Sequence, residues 1–291
     1  MLTEKKRRIL FYISMAVFAA LAIPLIFYSI GYRTGGVFIN ASESGAKVSI
    51  GKKVKYTSIL SGNALIKNLA PKSYRVKVEK EGFWPWEKTF VVKSQTVSSG
   101  NALLVPQNIP GRMLGTTTPE IKIKKPEFPG IKKYWLLNPG DFLILGEDKN
   151  FYVNKEKASK EFPPEALEML KAAPSAIFTD GDRRLVFWDG RNIDSLWIGS
   201  ADGMPQWQKE KEISVFTSPP GSKIRGAFEY PGWPDYLIAA YSNGIFALEM
   251  DSTGKQNIFP IYKGKMPEII TVESGKLILK DDGNFIEIEL P

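Results

Sequence analysis

The chain of 291 residues contains neither cysteine nor histidine. Without cysteine there are no disulfides and no thiolate chemistry, and compartment stays open, since exported bacterial proteins often lack cysteine too. The two absences together exclude zinc sites built from Cys and His and catalysis by Ser-His-Asp or Cys-His groups. No P-loop or dinucleotide fingerprint occurs. A calcium loop is missing as well. "DGD" at 180–182 and "DDGN" at 281–284 lack the spaced oxygens such a loop needs. They read as hairpin turns, where Asp, Asn and Gly tolerate left-handed backbone. "SGAK" at 44–47 matches Ser-x-x-Lys, but it lies at a strand entrance rather than a helix start, and it reads as coincidence. No cofactor, metal or catalytic residue is expected.

The hydrophobic share of 43% and charged share of 24% are those of a folded protein. The net charge of +8 is unevenly spread. Residues 1–33 carry 5 basic and 1 acidic residue, residues 34–130 carry 15 and 6, and residues 131–291 carry 19 and 24. A nucleic-acid binder, uniformly basic, is not expected from this pattern. The basic excess lies next to the most apolar stretch of the chain, where anionic lipid or an anionic wall polymer would be met.

That stretch, Ile9 to Ile30, holds 22 residues without a charge, against about 20 needed to span a bilayer core. Tyr12 and Tyr28 stand near its ends, as interfacial aromatics do, and Pro24 lies inside it. "KKRR" at 5–8 precedes it and only Arg33 follows closely. The positive-inside rule then leaves 1–8 as a cytoplasmic basic tail, 9–30 as a single-pass membrane helix, and all that follows outside the cell membrane. A cleaved signal peptide is the competing reading, with Ala20 and Ala22 as an A-x-A-like site. Cleavage there leaves an apolar mature terminus, so an uncleaved anchor is preferred.

Residues 36–106 alternate short β-branched and aromatic runs with turn residues, which predicts about six strands in a small β-sandwich. Gly45-Ala46 before a strand, Tyr74-Arg75-Val76-Lys77-Val78 in a strand, and Gly82-Phe83-Trp84-Pro85-Trp86 after a Lys-x-Gly turn resemble the PEGA domain. The sequence departs from that family at Glu43-Ser44, at Gly51, and at Lys72-Ser73. The resemblance implies a non-catalytic, surface-exposed β domain of envelope proteins and names no ligand. Trp84 and Trp86 are candidates for a stacking platform, or for packing within the sandwich.

Residues 107–119, within a Pro-, Gly- and Thr-rich stretch, read as a linker. Beyond it, residues 120–291 write one hairpin pattern four times: "DFLILGEDKNFYVNK", "RRLVFWDGRNIDSLWIG", "DYLIAAYSNGIFALEM" and "KLILKDDGNFIEIEL". They align on Leu143, Leu185, Leu237 and Leu277, at spacings of 42, 52 and 40 residues. Another apolar run precedes each. Repeats of about 40 residues with three to four strands are the mark of β-propeller blades. The expected architecture is therefore all-β with one N-terminal transmembrane helix, a PEGA-like sandwich, and a four-bladed β-propeller; an open or incomplete propeller is the alternative. A strand at 120–125 is expected to close the ring. Residues 158–175 read as a short helix in place of a fourth strand.

"EYPGWPDY" at 229–236 reads as an aromatic, Pro-stiffened loop. Tyr230, Trp233 and Tyr236, with Trp207, are the candidate ligand or partner surface of the repeat domain, beside Trp84 and Trp86 of the first. The expected function is a non-enzymatic binding or scaffold protein of the cell envelope. Its expected partners are the bilayer and an envelope protein or anionic wall polymer. The alternative is a membrane-tethered glycan-active enzyme using propeller carboxylates.

Overall fold

A computed structural model describes every residue except 1–3, 32–33, 118, 120–124, 138–139, 154–155, 158–161, 210–213 and 218–221, and no side chain of 4–10, 27, 29–31, 209 or 214–217 within its elements. The chain divides into two compact units: Met1–Lys80 with Pro85–Leu104, and Glu81–Trp84 with Val105–Pro291.

The first unit opens with α1 (Glu4–Gly31), 28 residues with Pro24 inside. Its described side chains, at 11–26 and 28, are uncharged and almost all exposed. Among the described residues no helix is long and apolar enough to cross a membrane. That described run is shorter than the uncharged run of the sequence, 9–30.

The same unit continues with seven strands: β1 (Gly35–Ala41), β2 (Lys47–Ile50), β3 (Lys53–Tyr56), β4 (Asn63–Leu69), β5 (Lys72–Glu79), β6 (Trp86–Val92) and β7 (Val97–Ala102). They form two sheets, β4-β1-β7 and β3-β2-β5-β6. Period-two burial drives this: Val37 and Ile39 of β1, Val48 and Ile50 of β2, and Val76 and Val78 of β5 are buried. β7 runs parallel to β1, in register from Gly36 opposite Val97 to Ala41 opposite Ala102. Two strands had no sequence signal. β3 is exposed throughout. Its lysines nevertheless close one side of the sandwich: Lys53 Nζ donates to the carbonyls of Lys67 and Asn68, each at 2.8 Å, and Lys55 Nζ to that of Leu65 at 3.0 Å. Lysines on a bare edge also block strand addition.

The second unit holds four sheets of four strands. Sheet one contains β9 (Ile131–Leu136), β10 (Phe142–Gly146), β11 (Phe151–Val153) and β12 (Glu156–Lys157), followed by α2 (Pro164–Ala172). Sheet two contains β13 (Ser175–Thr179), β14 (Arg184–Trp188), β15 (Asn192–Trp197) and β16 (Ser214–Thr217), with the short α3 (Gln206–Lys209) before β16. Sheet three contains β17 (Ile224–Tyr230), β18 (Trp233–Tyr241), β19 (Gly244–Glu249) and β20 (Ile258–Lys263). Sheet four contains β21 (Glu268–Glu273), β22 (Lys276–Asp281) and β23 (Asn284–Glu289), and its fourth strand is β8 (Gly111–Gly115), from the other end of the unit.

The four aligned leucines are all fully buried, and face Val153, Leu196, Leu248 and Ile288 on the next strand. Apolar side chains of sheets one and two and of α2 share one core, and those of sheets two and three another. The first strands are neighbours in the order β9, β13, β17, β21. These neighbours join the sheets in series, and the closed ring expected from the repeats is not among them. Sheet four differs from the others in covering. β10, β14 and β18 are buried on consecutive residues, hence on both faces, whereas β22 alternates buried with open positions.

Two corrections follow. The stretch at 107–119 is not a plain linker, because β8 lies in it, with Gly111, Arg112 and Met113 opposite Ile288, Glu287 and Ile286. The strand expected at 120–125 to complete the last sheet falls at 120–124 outside the described residues, and β8 takes the role. Gly111 permits this pairing, since a Cβ there would stand 2.9 Å from Ile286. The helix expected at 158–175 is α2.

Leu185→Ala and Leu237→Ala should each destabilise the protein by about 2–5 kcal/mol, the cost of a core cavity, measured by urea unfolding. Removing residues 105–117 should bare the β23 edge and give concentration-dependent association, read by light scattering.

Candidate functional site

The aromatic run at 229–236 is a tight hairpin, not a loop. β17 passes to β18 through Pro231 and Gly232 alone, with Tyr230 opposite Trp233 and Gly232 at φ +74°. Proline sets the first turn residue and glycine takes the left-handed second one. This geometry withdraws two candidate residues from the surface. Tyr230 and Tyr236 are both 0% exposed. The Tyr230 hydroxyl donates to the Pro291 carbonyl at 3.5 Å, and burial raises its pKa above the ordinary tyrosine value. Trp233 stays half-buried, edge-on to Tyr236 with ring centres 6.3 Å apart.

In the first unit Trp86 is 1% exposed and tilts against Phe90, ring centres 6.2 Å apart. Gly100 of β7 makes room for that pair, since a Cβ there would meet the Phe90 ring at 2.5 Å. Trp86 is therefore a core residue with no face for a ligand. Trp84, grouped with the second unit, is half-buried; its backbone N–H donates to the Val105 carbonyl at 2.8 Å, and its buried indole N–H has no hydrogen-bond partner among the described residues.

Trp207 belongs to a constellation that the sequence reading missed. Its centre is Arg184, 0% exposed, at the start of β14. The guanidinium lies 5.1 Å from the Trp207 ring centre and 5.6 Å from that of Trp197. It donates to the Pro234 carbonyl at 2.5 Å, to Gln208 Oε1 at 3.2 Å and to Asp235 Oδ1 at 3.4 Å, and faces Asp180 Oδ2 at 3.9 Å. Trp207 Nε1 donates to the same Asp235 oxygen at 3.2 Å, and Gln208 Nε2 to Ser195 Oγ at 2.9 Å. One buried cation thus ties β14, α3 and the start of β18 together. The signal was present in period two: Arg184, Val186 and Trp188 share one strand face, so an arginine stood in line with core residues.

In the turn beside it Asp180, Gly181 and Asp182 all take positive φ, at 54°, 61° and 66°, the left-handed backbone that Asp and Gly accept in turns. Asp180 binds Arg183 at 2.5 Å, and its backbone N–H donates to Glu229 Oε2 at 2.8 Å. Burial raises the Glu229 pKa, with the Asp180 carboxylate adding to it and Arg184 opposing. Burial lowers the Arg184 pKa, against the pull of Asp235 and Asp180. The result is a half-open carboxylate cluster around a shielded cation. Among the described residues no group of three or more acidic side chains is placed to hold a metal.

The PEGA domain family model matches residues 34–108, which is 75 of 291 residues and spans β1–β7. No curated protein matches the chain. Among solved structures it is similar to a candidate membrane-associated protein of unknown function from Bacteroides fragilis NCTC 9343. Identity is 13%, over 88% of this chain and 93% of that one. The TM-score of 0.20 is too low to carry an argument about fold or function.

Arg184→Met should cost about 3–5 kcal/mol, because it strands buried carboxylates. Arg184→Lys should not restore the loss, since an ammonium neither stacks on two indoles nor spans these acceptors; urea unfolding reads both. For Glu229 the folded pKa is raised, so its contribution is complete below the ordinary value near 4.5 and lost as pH rises through the folded value. Glu229→Gln should therefore melt higher than wild type at neutral pH, and the gap should close in acid, followed by thermal unfolding at both pH values.

Proposed function

We propose that this is a membrane-anchored binding or scaffold protein of the cell envelope, without enzymatic activity. In this reading residues 9–30 cross the cytoplasmic membrane, the basic tail at 5–8 stays inside, and both folded units stand outside. The four-stranded sheets of residues 105–291 are the blades of an open β-propeller, the last blade completed by β8, that engages an envelope protein or wall polymer. The carrying observation is an order along the chain: an uncharged run of 22 residues behind "KKRR", followed directly by a PEGA domain at 34–108. Run length and flanking charge support the anchor and its direction. The turn at 180–183, with Trp207 and Trp233 nearby, is the surface through which the propeller is proposed to bind. Polar and part-aromatic, it has the features of a recognition site.

A second reading has one observation in its favour. Burial raises the Glu229 pKa, as a general acid of a glycan hydrolase requires, and Asp180 stands beside it. Arg184 at the same spot opposes it, because a fixed cation favours the ionised form.

The chain's lack of cysteine permits a clean topology test. Lys6→Cys and Lys263→Cys, made singly in cells, should differ in labelling by a membrane-impermeant maleimide: Lys263→Cys, at an exposed position, labelled, Lys6→Cys only after lysis. Equal labelling of both in intact cells overturns the anchor. Incubating the full chain with the envelope fraction tests the rest. Retention by one defined protein, or sedimentation with intact wall polymer, supports binding. Release of soluble glycan fragments that is lost in Glu229→Gln favours the enzyme.

A further inference from the structure

The PEGA domain carries lysines at both ends but its carboxylates at or near one. Gly35 begins β1, four residues beyond Gly31, the last residue of α1. Four residues reach at most about 14 Å, so the Gly35 end of the sandwich cannot stand far from the end of the helix.

Strand register identifies what else lies at that end. Leu69 of β4 is opposite Gly35, and three residues later the chain starts β5 at Lys72. The β6–β7 connection lies there too: Gln95 N–H donates to Thr34, and Gly36 N–H to Thr96, both at 2.9 Å. That connection starts with Lys93, whose carbonyl lies 2.2 Å from where a Cβ on Gly35 would stand. Lys53 reaches the carbonyls of Lys67 and Asn68 beside it, which brings the Gly51–Lys52 turn to the same end. Lys52, Lys53, Lys67, Lys72 and Lys93 are all exposed. They share this end with exposed Val97 and Val91. The unit's carboxylates after the helix lie at or near the opposite end. Glu43 pairs with Lys80 beyond β1 and β5, Glu79 closes β5, and Glu87 is the second residue of β6.

We propose that this lysine rim is a lipid-facing surface. It seats the PEGA domain on the anionic headgroups of the bilayer that α1 enters, with Val91 and Val97 at the interface. The proposal rests on the anchor reading. Lipid is favoured over wall polymer because the rim is the end tethered to the helix, whereas a wall polymer would be met from the far end. Five like charges without a carboxylate repel one another unless an anionic surface faces them. The arrangement is also compatible with export. No rim lysine lies within about 20 residues of the helix end, the range over which positive charge sets orientation. Folding gathers them only afterwards.

The test uses the full chain in lipid nanodiscs, either phosphatidylcholine alone or with about a third phosphatidylglycerol. Acylation of each lysine by an amine-reactive reagent is followed by mass spectrometry. The expected result is a threefold or greater slowing, on the order of a surface-bound charge, at Lys52, Lys67, Lys72 and Lys93 in the anionic discs only. Lys47, Lys77 and Lys80 should be unchanged, and the slowing should vanish at about 0.5 M salt, where screening sets in within roughly 4 Å. Lys67→Glu with Lys72→Glu should abolish the slowing at Lys52 and Lys93, with unchanged unfolding as the control for folding. Equal rates in both discs, in a chain that alkaline carbonate does not extract, overturn the lipid surface and leave the anchor standing. Slowing only on adding wall polymer overturns it in favour of that polymer. Extraction by carbonate overturns anchor and surface together.

Discussion

The second unit depends on a sheet of four strands being unable to cover its own faces. β10, β14 and β18 are buried at consecutive positions, so apolar side chains project from both sides of each sheet. Their leucines gain the hydrophobic free energy of burial, about 25 cal/mol per Å², only when a neighbouring sheet stands against them. Repetition is the physical solution: each sheet supplies the cover for the next, and α2 covers part of sheets one and two. The same constraint explains β8. A last sheet of three strands leaves the polar groups of β23 unpaired, and an early segment of the unit supplies the missing partner.

Between sheets two and three the apolar core ends in a polar joint. Arg184 gives up hydration and recovers it through a carbonyl, an amide, a carboxylate and two indole faces. Such a site specifies geometry more than it adds stability, because a buried cation tolerates few arrangements of its partners. It fixes α3 and the 180–183 turn relative to the β17–β18 hairpin, and so shapes the surface around Trp207 and Trp233. The PEGA domain shows the complementary use of charge. There the rim lysines bond to edge carbonyls, and period-two apolar residues make up most of the interior, with Lys88 and Glu87 of β6 also buried.

Much of this was legible in the sequence, for a local reason. The aligned hairpins, the helix at 158–175 and the later strands around 214–217 and 258–263 follow from side-chain period and turn residues, both read within a dozen positions. The PEGA strands were legible where Val, Ile and Tyr dominate, and not at β3 or β7, whose composition is lysine-rich or small and polar. Aromatic content misled the choice of site. Tyr230 and Tyr236 attract attention as recognition residues, yet a large ring gains most by being buried, as the packing alternative for Trp86 has it.

The sequence by itself determined most of the elements, the repeat and the segregation of charge along the chain, because each depends on neighbours in the chain. Tertiary structure alone decided three things. It made "GRMLG" the fourth strand of the last sheet, through pairing with residues more than 150 positions away. It turned Arg184 from a strand-end cation into a buried hub, because its acceptors come from separate segments. It drew Lys52, Lys53, Lys67, Lys72 and Lys93 to one end, because antiparallel turns return the chain to the same edge every second strand. Strand period is a property of adjacent residues, whereas burial and the company of charges depend on which distant segments the fold brings together.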